Sequence, residues 1–292
     1  MMQKVLVTGA NGQLAQELVA HAPECELLAL DRKALDISDA AALAEQLDAS
    51  APDVIINAAA YTAVDRAESE PELAQQVNAE GAGNLARACA SRGLALLHVS
   101  TDFVFDGRAS KPYLPSAPTA PLGAYGASKL AGEKAVLEAL PSAFILRTGW
   151  VYSRFGGNFV KTMLRLMTER DELSVVADQV GTPTWAAGLA QALWAAAARP
   201  QLQGIYHWSD AGVCSWYDFA VAIHEEGLAC GLLQEPVRIY PIPASDYPTP
   251  AERPAYSVLD KTDTWLALDL PGEHWRVQLR HMLKQLKEQN ID

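Results

Sequence analysis

Short apolar runs alternate with stretches of helical length through the first half of the chain. The first of these runs is followed at once by a glycine turn, and the second half breaks into short strands and proline-rich turns. Together these predict an α/β fold: a Rossmann-type, doubly wound parallel sheet with a smaller mixed α/β C-terminal lobe. With 292 residues the chain can bury a large α/β core and still carry a second lobe.

Lys4-Val5-Leu6-Val7-Thr8 is apolar and rich in valine, as a strand covered on both faces should be. Gly9-Ala10-Asn11-Gly12 then turns into a helix starting near Gln13. Glu26 to Leu30 reads as the second strand and ends at Asp31-Arg32. A helix follows from about Ser38 to Leu47, then a strand at Val54-Ile55-Ile56-Asn57 and a helix through Gln75 to Ser91. Leu94 to Ser100 is the next strand, the helix after it opens around Tyr125 and runs to about Leu140, and Phe144 to Arg147 forms one more strand. Beyond it, Asn158 to Met167 has helical spacing, Leu173 to Val176 reads as a strand, and Ala186 to Ala198 as a helix packing back on the first domain. From Ile205 to Leu286 come short strands and two or three helices. Pro112 to Pro118 reads either as a loop over the site or as a rigid surface connection.

Composition narrows the function classes. Twenty-three basic against 35 acidic residues give a net charge of −12, which argues against non-specific binding to nucleic acid or an acidic membrane. A local arginine or helix N-terminus can still hold an anionic small molecule. Cys25, Cys89, Cys214 and Cys230 show no close spacing, as expected of reduced thiols rather than a disulfide scaffold or zinc site. The N-terminal residues enter a strand at once, with no room for a signal peptide, and no apolar run reaches membrane-spanning length. The expected location is cytoplasmic.

Gly9, Gly12 and Ala15 follow the spacing Gly-x-x-Gly-x-x-Ala directly after the first strand. Gly9 suits a tight turn, Gly12 lets backbone approach a pyrophosphate at the positive end of a helix, and Ala15 permits close helix–sheet packing. A plain turn into a helix would use the same glycines. Asp31, nineteen residues beyond Gly12, supplies the second half of a dinucleotide signature. A carboxylate there binds the ribose hydroxyls of NAD, whereas the neighbouring Arg32 suits the 2′-phosphate of NADP, so both NADH and NADPH are expected. Asp36-Ile37 either closes over the adenine or is a helix-capping aspartate beside a core isoleucine.

The candidate chemistry lies in Tyr125-Gly126-Ala127-Ser128-Lys129. A tyrosine and a lysine four apart share one helical face, where an ammonium is expected to lower the phenol pKa toward the working range. Such a phenol can hand a proton to a carbonyl oxygen while hydride reaches the carbon. Ser100-Thr101 ends a strand on the ligand-binding edge of such sheets and offers a hydroxyl for the same carbonyl. His98 lies within that strand and fits a core position better than a catalytic one. These readings predict an NAD(P)-binding domain over residues 1–150 with a return segment near 180–200. A substrate lobe is expected mainly from 151–180 and 201–292.

Several runs together resemble the dTDP-4-dehydrorhamnose reductase family of the extended short-chain dehydrogenase/reductase superfamily. They are Val7 to Leu14, Asn57 to Asp65, Ser100 to Gly107, Tyr125 to Lys129, Leu146 to Tyr152 and Asp178 to Thr184. Arg253-Pro254 with Ser257, Leu259 and Asp260 completes the set. The likeness runs from about residue 4 to 286. It implies NAD(P)H-dependent reduction of the 4-keto group of dTDP-4-dehydro-β-L-rhamnose, a dTDP-linked deoxysugar. Thr101, Tyr125 and Lys129 are implied as the catalytic set. Val64, Asp65, Thr101, Trp150, Asn158 and Arg253 are implied on the substrate side. Gly9, Asn11, Gly12, Gln13, Asp31, Arg32, Asp36, Ile37, Ala58, Ala60, Tyr61, Tyr125 and Lys129 are implied around the cofactor. Some relatives form a magnesium-linked homodimer through acidic side chains. Glu17 matches the first such position and the others have no clear match, which leaves both dimer and Mg2+ open. Rival readings are another nucleotide-linked 4-keto-6-deoxy sugar reductase, a nucleotide-sugar epimerase, or a non-catalytic regulatory subunit of the same fold.

Overall fold

Six parallel strands form the central sheet of the computed structural model, which describes residues 3–289. The first half supplies β1 (Lys4–Thr8), α1 (Gln13–Ala20), β2 (Glu26–Leu30), α2 (Ala40–Ser50) and β3 (Val54–Asn57). After these come the short helices α3 (Val64–Ala67) and α4 (Pro71–Gln75), then α5 (Ala82–Arg92), β4 (Ala95–Thr101), α6 (Ala124–Ala139) and β5 (Phe144–Thr148). The second half supplies β6 (Val151–Tyr152), α7 (Phe159–Glu169), β7 (Glu172–Val176), β8 (Val180–Gly181), β9 (Thr184–Trp185), α8 (Ala186–Ala197) and β10 (Gly204–His207). It ends with β11 (Cys214–Ser215), α9 (Trp216–Cys230), β12 (Arg238–Ile242), α10 (Thr262–Leu268) and α11 (Trp275–Gln289). The sheet order is β10-β5-β4-β3-β1-β2, as the alternation of runs predicts for a doubly wound sheet.

The chain leaves β1 toward β2 on one side and returns to build β3, β4 and β5 on the other. The order therefore reverses between β1 and β3, and a crevice opens beyond the C-terminal ends of these strands. Central strands are apolar throughout because both faces are covered: every residue of β3 and β5 is buried. On one face Leu18 of α1 and Leu189 and Leu193 of α8 pack over Val5, Val7 and Leu146. On the other, Leu43, Leu85 and Val136 from α2, α5 and α6 pack over Leu6, Ile55 and Ile145. Helix α8 is built largely of alanine and leucine and is buried along most of its length, as a helix without a polar face must be. It carries residues 186–197 back onto the sheet. A second return is β10, which pairs with β5 and completes the sheet from residues beyond 200.

Two local differences bear on the site. The single helix expected from Gln75 to Ser91 is three pieces, with a π-turn over Gln76–Gly81 between α4 and α5. The π-turn packs on α6 where Gly132 has no side chain: a Cβ there would lie 2.1 Å from the Asn78 carbonyl oxygen. The loop around Pro112 to Pro118 does not lie over the site. Tyr113 stacks on Phe105 at 4.2 Å and the Pro115 carbonyl accepts from Arg147, so packing draws the loop into a seam with Leu259 of the C-terminal region.

The smaller lobe has its own core, in which Phe219 and Ile223 of α9 meet Leu279 and Met282 of α11 and Val160 of α7. Helix α9 begins with a capping box, Ser215 and Asp218 each accepting from the other's backbone amide, and ends at Gly231 in the left-handed region. The lobe core runs on into Trp185 and Ala187 at the start of α8, which ties it to the sheet domain. No helix among the described residues is long and apolar enough to cross a membrane.

Candidate active site

A cavity of about 780 Å3 lies at the switch point, walled by the loops after β1, β2, β3, β4 and β5, the first turns of α6, and Asn158 ahead of α7. Its nucleotide side follows from local sequence. Gly9 has φ +75°, and a Cβ there would meet Ala59 Cα at 2.8 Å, so both the turn and the approach of the β3 loop require glycine. The Gly12 amide donates to the Gly9 carbonyl at 2.8 Å, and Gly12 caps α1 without a side chain. The first amides of α1 therefore point into the cavity with no side chain to satisfy them, which suits an anion. Ala15 is fully buried against the sheet. These features fit the pyrophosphate of a dinucleotide.

Gly9, Asn11, Gly12, Gln13, Arg32, Asp36, Ile37, Ala58, Ala60 and Tyr61 all line this cavity, as do Thr101, Tyr125 and Lys129. Asp31 does not. Its carboxylate accepts from Asn11 Nδ2 at 2.9 Å and from the amides of Lys33 and Ala34, bonds that hold its pKa low and shape the loop after β2. Arg32 reaches the cavity instead, paired with Asp36 at 3.1 Å. Asp36 also accepts from the Ser38 amide and hydroxyl, while the cap of α2 is Asp39 and Ile37 is almost fully buried.

At the reacting end, Thr101 closes β4 and Tyr125 stands in the first turn of α6. Thr101 Oγ1 donates to Asp102 Oδ1 at 3.1 Å and accepts from the Phe103 amide at 3.2 Å. Ser100 turns the other way, donating at 2.5 Å to Glu133, which is locked by two bonds of 2.8 and 2.7 Å to buried Arg147. Of the two adjacent hydroxyls, only that of Thr101 faces Tyr125. The Tyr125 ring meets Phe103 edge-on at 5.6 Å, and Gly126 lets the Phe103 carbonyl approach, since a Cβ there would be 2.2 Å away.

The electrostatics correct one expectation. The phenol of Tyr125 is pushed up to about 12 rather than down. Desolvation by the surrounding protein is the main cause; the Thr101 hydroxyl lowers the phenol in part, and the negative charge of Asp102 adds a smaller rise. Lys129 is 2 % exposed, and its ammonium donates to the Val99 carbonyl at 2.7 Å. Burial brings it down to about 8, against the pull of Glu133. With both groups desolvated, the raising of the phenol by burial outweighs any help from the lysine.

Two residues in this region escaped the sequence reading. Asp102 is 2 % exposed, lines the cavity, and has its carboxyl raised to about 6 by burial. Its place in the run Ser100 to Gly107 was the only available signal. Asn78, in the π-turn, accepts from the Tyr61 amide at 2.8 Å and donates to the Tyr61 carbonyl and to Ser128 Oγ, both at 3.0 Å. It ties the β3 loop to α6, and helical periodicity cannot reveal such a contact. His98 is buried and bonded to Asn57 at 2.9 Å, as expected of a core histidine.

On the opposite wall Val64, Trp150 and Asn158 line the cavity. Asn158 caps α7 through the Lys161 amide and donates at 2.9 Å to Gln13 Oε1, joining the glycine-loop helix to the smaller lobe. Asp65 and Arg253 lie outside the lining. They form a two-bond ion pair at 3.0 and 2.8 Å, which also holds the Asp65 carboxyl below its usual range. Glu17, the residue matched to a metal-linked dimer, is buried in this chain. It is 0 % exposed, accepts from Ser153 Oγ at 2.6 Å and lies between α1 and the segment after β6. No group of three His, Cys, Asp or Glu side chains is placed to hold a metal among the described residues.

Comparison with known proteins agrees with this geometry. A family model described as RmlD substrate binding domain matches residues 2–288. The dTDP-4-dehydrorhamnose reductase of Sinorhizobium fredii is 44% identical over 292 residues, covering 96% of each chain. That of Escherichia coli is 43% identical over 293 residues, covering 97% of each. The crystal structure of the Bacillus anthracis dTDP-4-dehydrorhamnose reductase in complex with NADP superposes with a TM-score of 0.92 at 38% identity, covering 98% of this chain and 100% of that one. With matches of this extent, the chain belongs to the dTDP-4-dehydrorhamnose reductase family of the extended short-chain dehydrogenase/reductase superfamily.

Proposed function

We propose that this protein is a dTDP-4-dehydrorhamnose reductase, reducing the 4-keto group of dTDP-4-dehydro-β-L-rhamnose to dTDP-β-L-rhamnose with NADPH or NADH. The observation that carries the reading is one cavity holding both an uncapped, glycine-turned helix N-terminus and the Thr101, Tyr125 and Lys129 side chains, in a chain matched along nearly its whole length by reductases of that name.

Gly9, Gly12 and the first amides of α1 hold the cofactor pyrophosphate, and Arg32 and Asp36 stand at its ribose end. When bound, the nicotinamide supplies a hydride to C4 of the sugar. Tyr125 gives its proton to the C4 oxygen as negative charge develops there. A phenol raised to about 12 is fully protonated at neutral pH, the form a proton donor needs, and a sugar alkoxide is basic enough to take that proton. Thr101 donates its hydrogen bond to Asp102 Oδ1, so its oxygen keeps a lone pair that orients the Tyr125 hydroxyl. Lys129, still charged at neutral pH with a pKa of about 8, offsets the phenolate left behind. Val64, Trp150 and Asn158 border the sugar. Arg253 can meet the diphosphate through its remaining guanidinium N–H groups, while the pair with Asp65 holds it near the rim.

The test is oxidation of NADPH and NADH by the purified protein with a panel of dTDP- and GDP-linked 4-keto sugars. Turnover is expected with the dTDP-4-dehydro-β-L-rhamnose substrate. Turnover of a different 4-keto sugar alone would reassign the substrate, and no oxidation with any of them would favour a regulatory subunit.

A further inference from the structure

Three non-glycine residues have positive φ among the described residues. Ala51 and Asp269 are left-handed caps at the ends of α2 and α10, a common place for that conformation. Trp150, at φ +51°, ends no helix and lines the cavity. A bulky side chain in this region is strained, and it persists only where its surroundings over-determine it.

The surroundings do so here. The Thr184 amide donates to the Trp150 carbonyl at 3.1 Å, and Thr184 Oγ1 donates to the Gly149 carbonyl at 2.7 Å. Gly149 is pressed under the Asp102 carboxylate, whose Oδ2 would lie 2.5 Å from an added Cβ. The indole is held as firmly as its backbone. Trp216 stacks directly on it, with centroids 3.4 Å apart and planes within 2°, and Phe159 backs Trp216 at 4.6 Å. A Cβ added at Gly181 would lie 2.5, 2.6 and 2.8 Å from Cε2, Nε1 and Cζ2 of Trp150, nearer than to any atom of Trp216. Since Trp216 covers the ring directly, Gly181 closes on it from the other side.

Both faces of the indole are therefore occupied, and Trp150 meets the cavity by its rim. It follows β5, whose Thr148 is in register with Thr101 of β4, so the ring stands one strand from the proposed proton donor group. We infer that Trp216 and Gly181 are positioning residues that hold the Trp150 indole rim-on to the substrate ring and so set substrate affinity. The inference rests on the substrate-side reading given above, and it excludes a face-to-face stack of sugar on indole in this arrangement.

The experiment is steady-state kinetics on the 4-keto dTDP-sugar, with NADPH affinity measured separately, for Gly181→Ala, Trp216→Ala, Trp216→Phe, Trp150→Ala and the double variant Trp150→Ala/Trp216→Ala. Gly181→Ala must displace the indole and is expected to raise KM roughly tenfold or more, with smaller changes in kcat and in NADPH affinity. Trp216→Ala is expected to do the same, and Trp216→Phe to restore most of the affinity. Because Trp216 acts through Trp150, its effect should vanish when Trp150 is already alanine. If Trp150→Ala raises KM while Gly181→Ala and Trp216→Ala keep the parent value, or if the two tryptophan effects simply add, the positioning role is wrong and the substrate-side reading stands. An unchanged KM in Trp150→Ala overturns the substrate-side reading itself. If Gly181→Ala does not fold, the two Trp216 variants and the double variant decide the question alone.

Discussion

The nucleotide wall and the substrate wall of the same cavity are built differently. The pyrophosphate end of the nucleotide wall is local: Gly9, Gly12 and the start of α1 lie within a dozen residues and present backbone, while Arg32 and Asp36 complete the wall from the loop after β2. The substrate wall is assembled from distant pieces. Asn158 reaches Gln13 across 145 positions, Trp150 is set between β8 and the first residue of α9, and just outside the lining Asp65 pairs with Arg253 across 188. A wall made of backbone at a sheet edge admits few variations, whereas one made of side-chain pairs between lobes can be retuned by single substitutions. The proton donor group stands where the two walls meet, fixed by β4 and α6.

The sharpest test of that division is Tyr125→Phe. It removes the proton donor without touching the glycine turn, so kcat should fall roughly 10²–10⁴-fold while NADPH affinity stays near the parent value. A loss of both together would show that the two walls are not separable.

Next in size is the contrast between two ion pairs. Glu133 and Arg147 have side chains 2 % and 3 % exposed, and Glu133→Gln leaves a buried guanidinium short of its counter-charge, with an expected cost of about 3 kcal/mol in urea denaturation. Asp65→Asn breaks a pair whose members are 41% and 27% exposed, and it should cost less than about 1 kcal/mol. Equal costs would mean that the rim pair is structural scaffolding rather than a replaceable contact.

The smallest expected effect is in pH dependence. A lysine brought down to about 8 is charged below that value and neutral above it, so the charge that offsets the Tyr125 phenolate is lost as pH rises. kcat/KM should decline on the alkaline side with an inflection near 8, and the limb should be missing in Lys129→Ala at its lower overall rate. A flat profile through that range in the parent would place the Lys129 pKa elsewhere or remove its role.

Much of this was legible before any coordinates. Alternating apolar runs and the turn chemistry of Gly9 and Gly12 depend on near neighbours, and β1, β2 and β3 lie where the sequence places them. Residues at strand ends on the ligand edge, Thr101 among them, were also within reach, because strand direction and sheet type dictate where side chains emerge. The π-turn that aims Asn78 was not, since its cause is a gap at Gly132 on another helix. Asp31 and Arg253 look like ligands by type and position. Their free hydrogen-bonding capacity depends on neighbours that only folding brings near, Asn11 for one and Asp65 for the other.

The sequence by itself determined the first five strands of the sheet and the glycine turn, and it singled out Thr101, Tyr125 and Lys129 as the proposed reacting side chains, because each follows from local periodicity or from a motif a few residues long. Only the tertiary structure decided that the Tyr125 phenol is raised rather than lowered, that Glu17 is enclosed, and that Trp150 shows its rim. Each of those depends on burial and on long-range partners, and desolvation arises only when the chain has closed around the group.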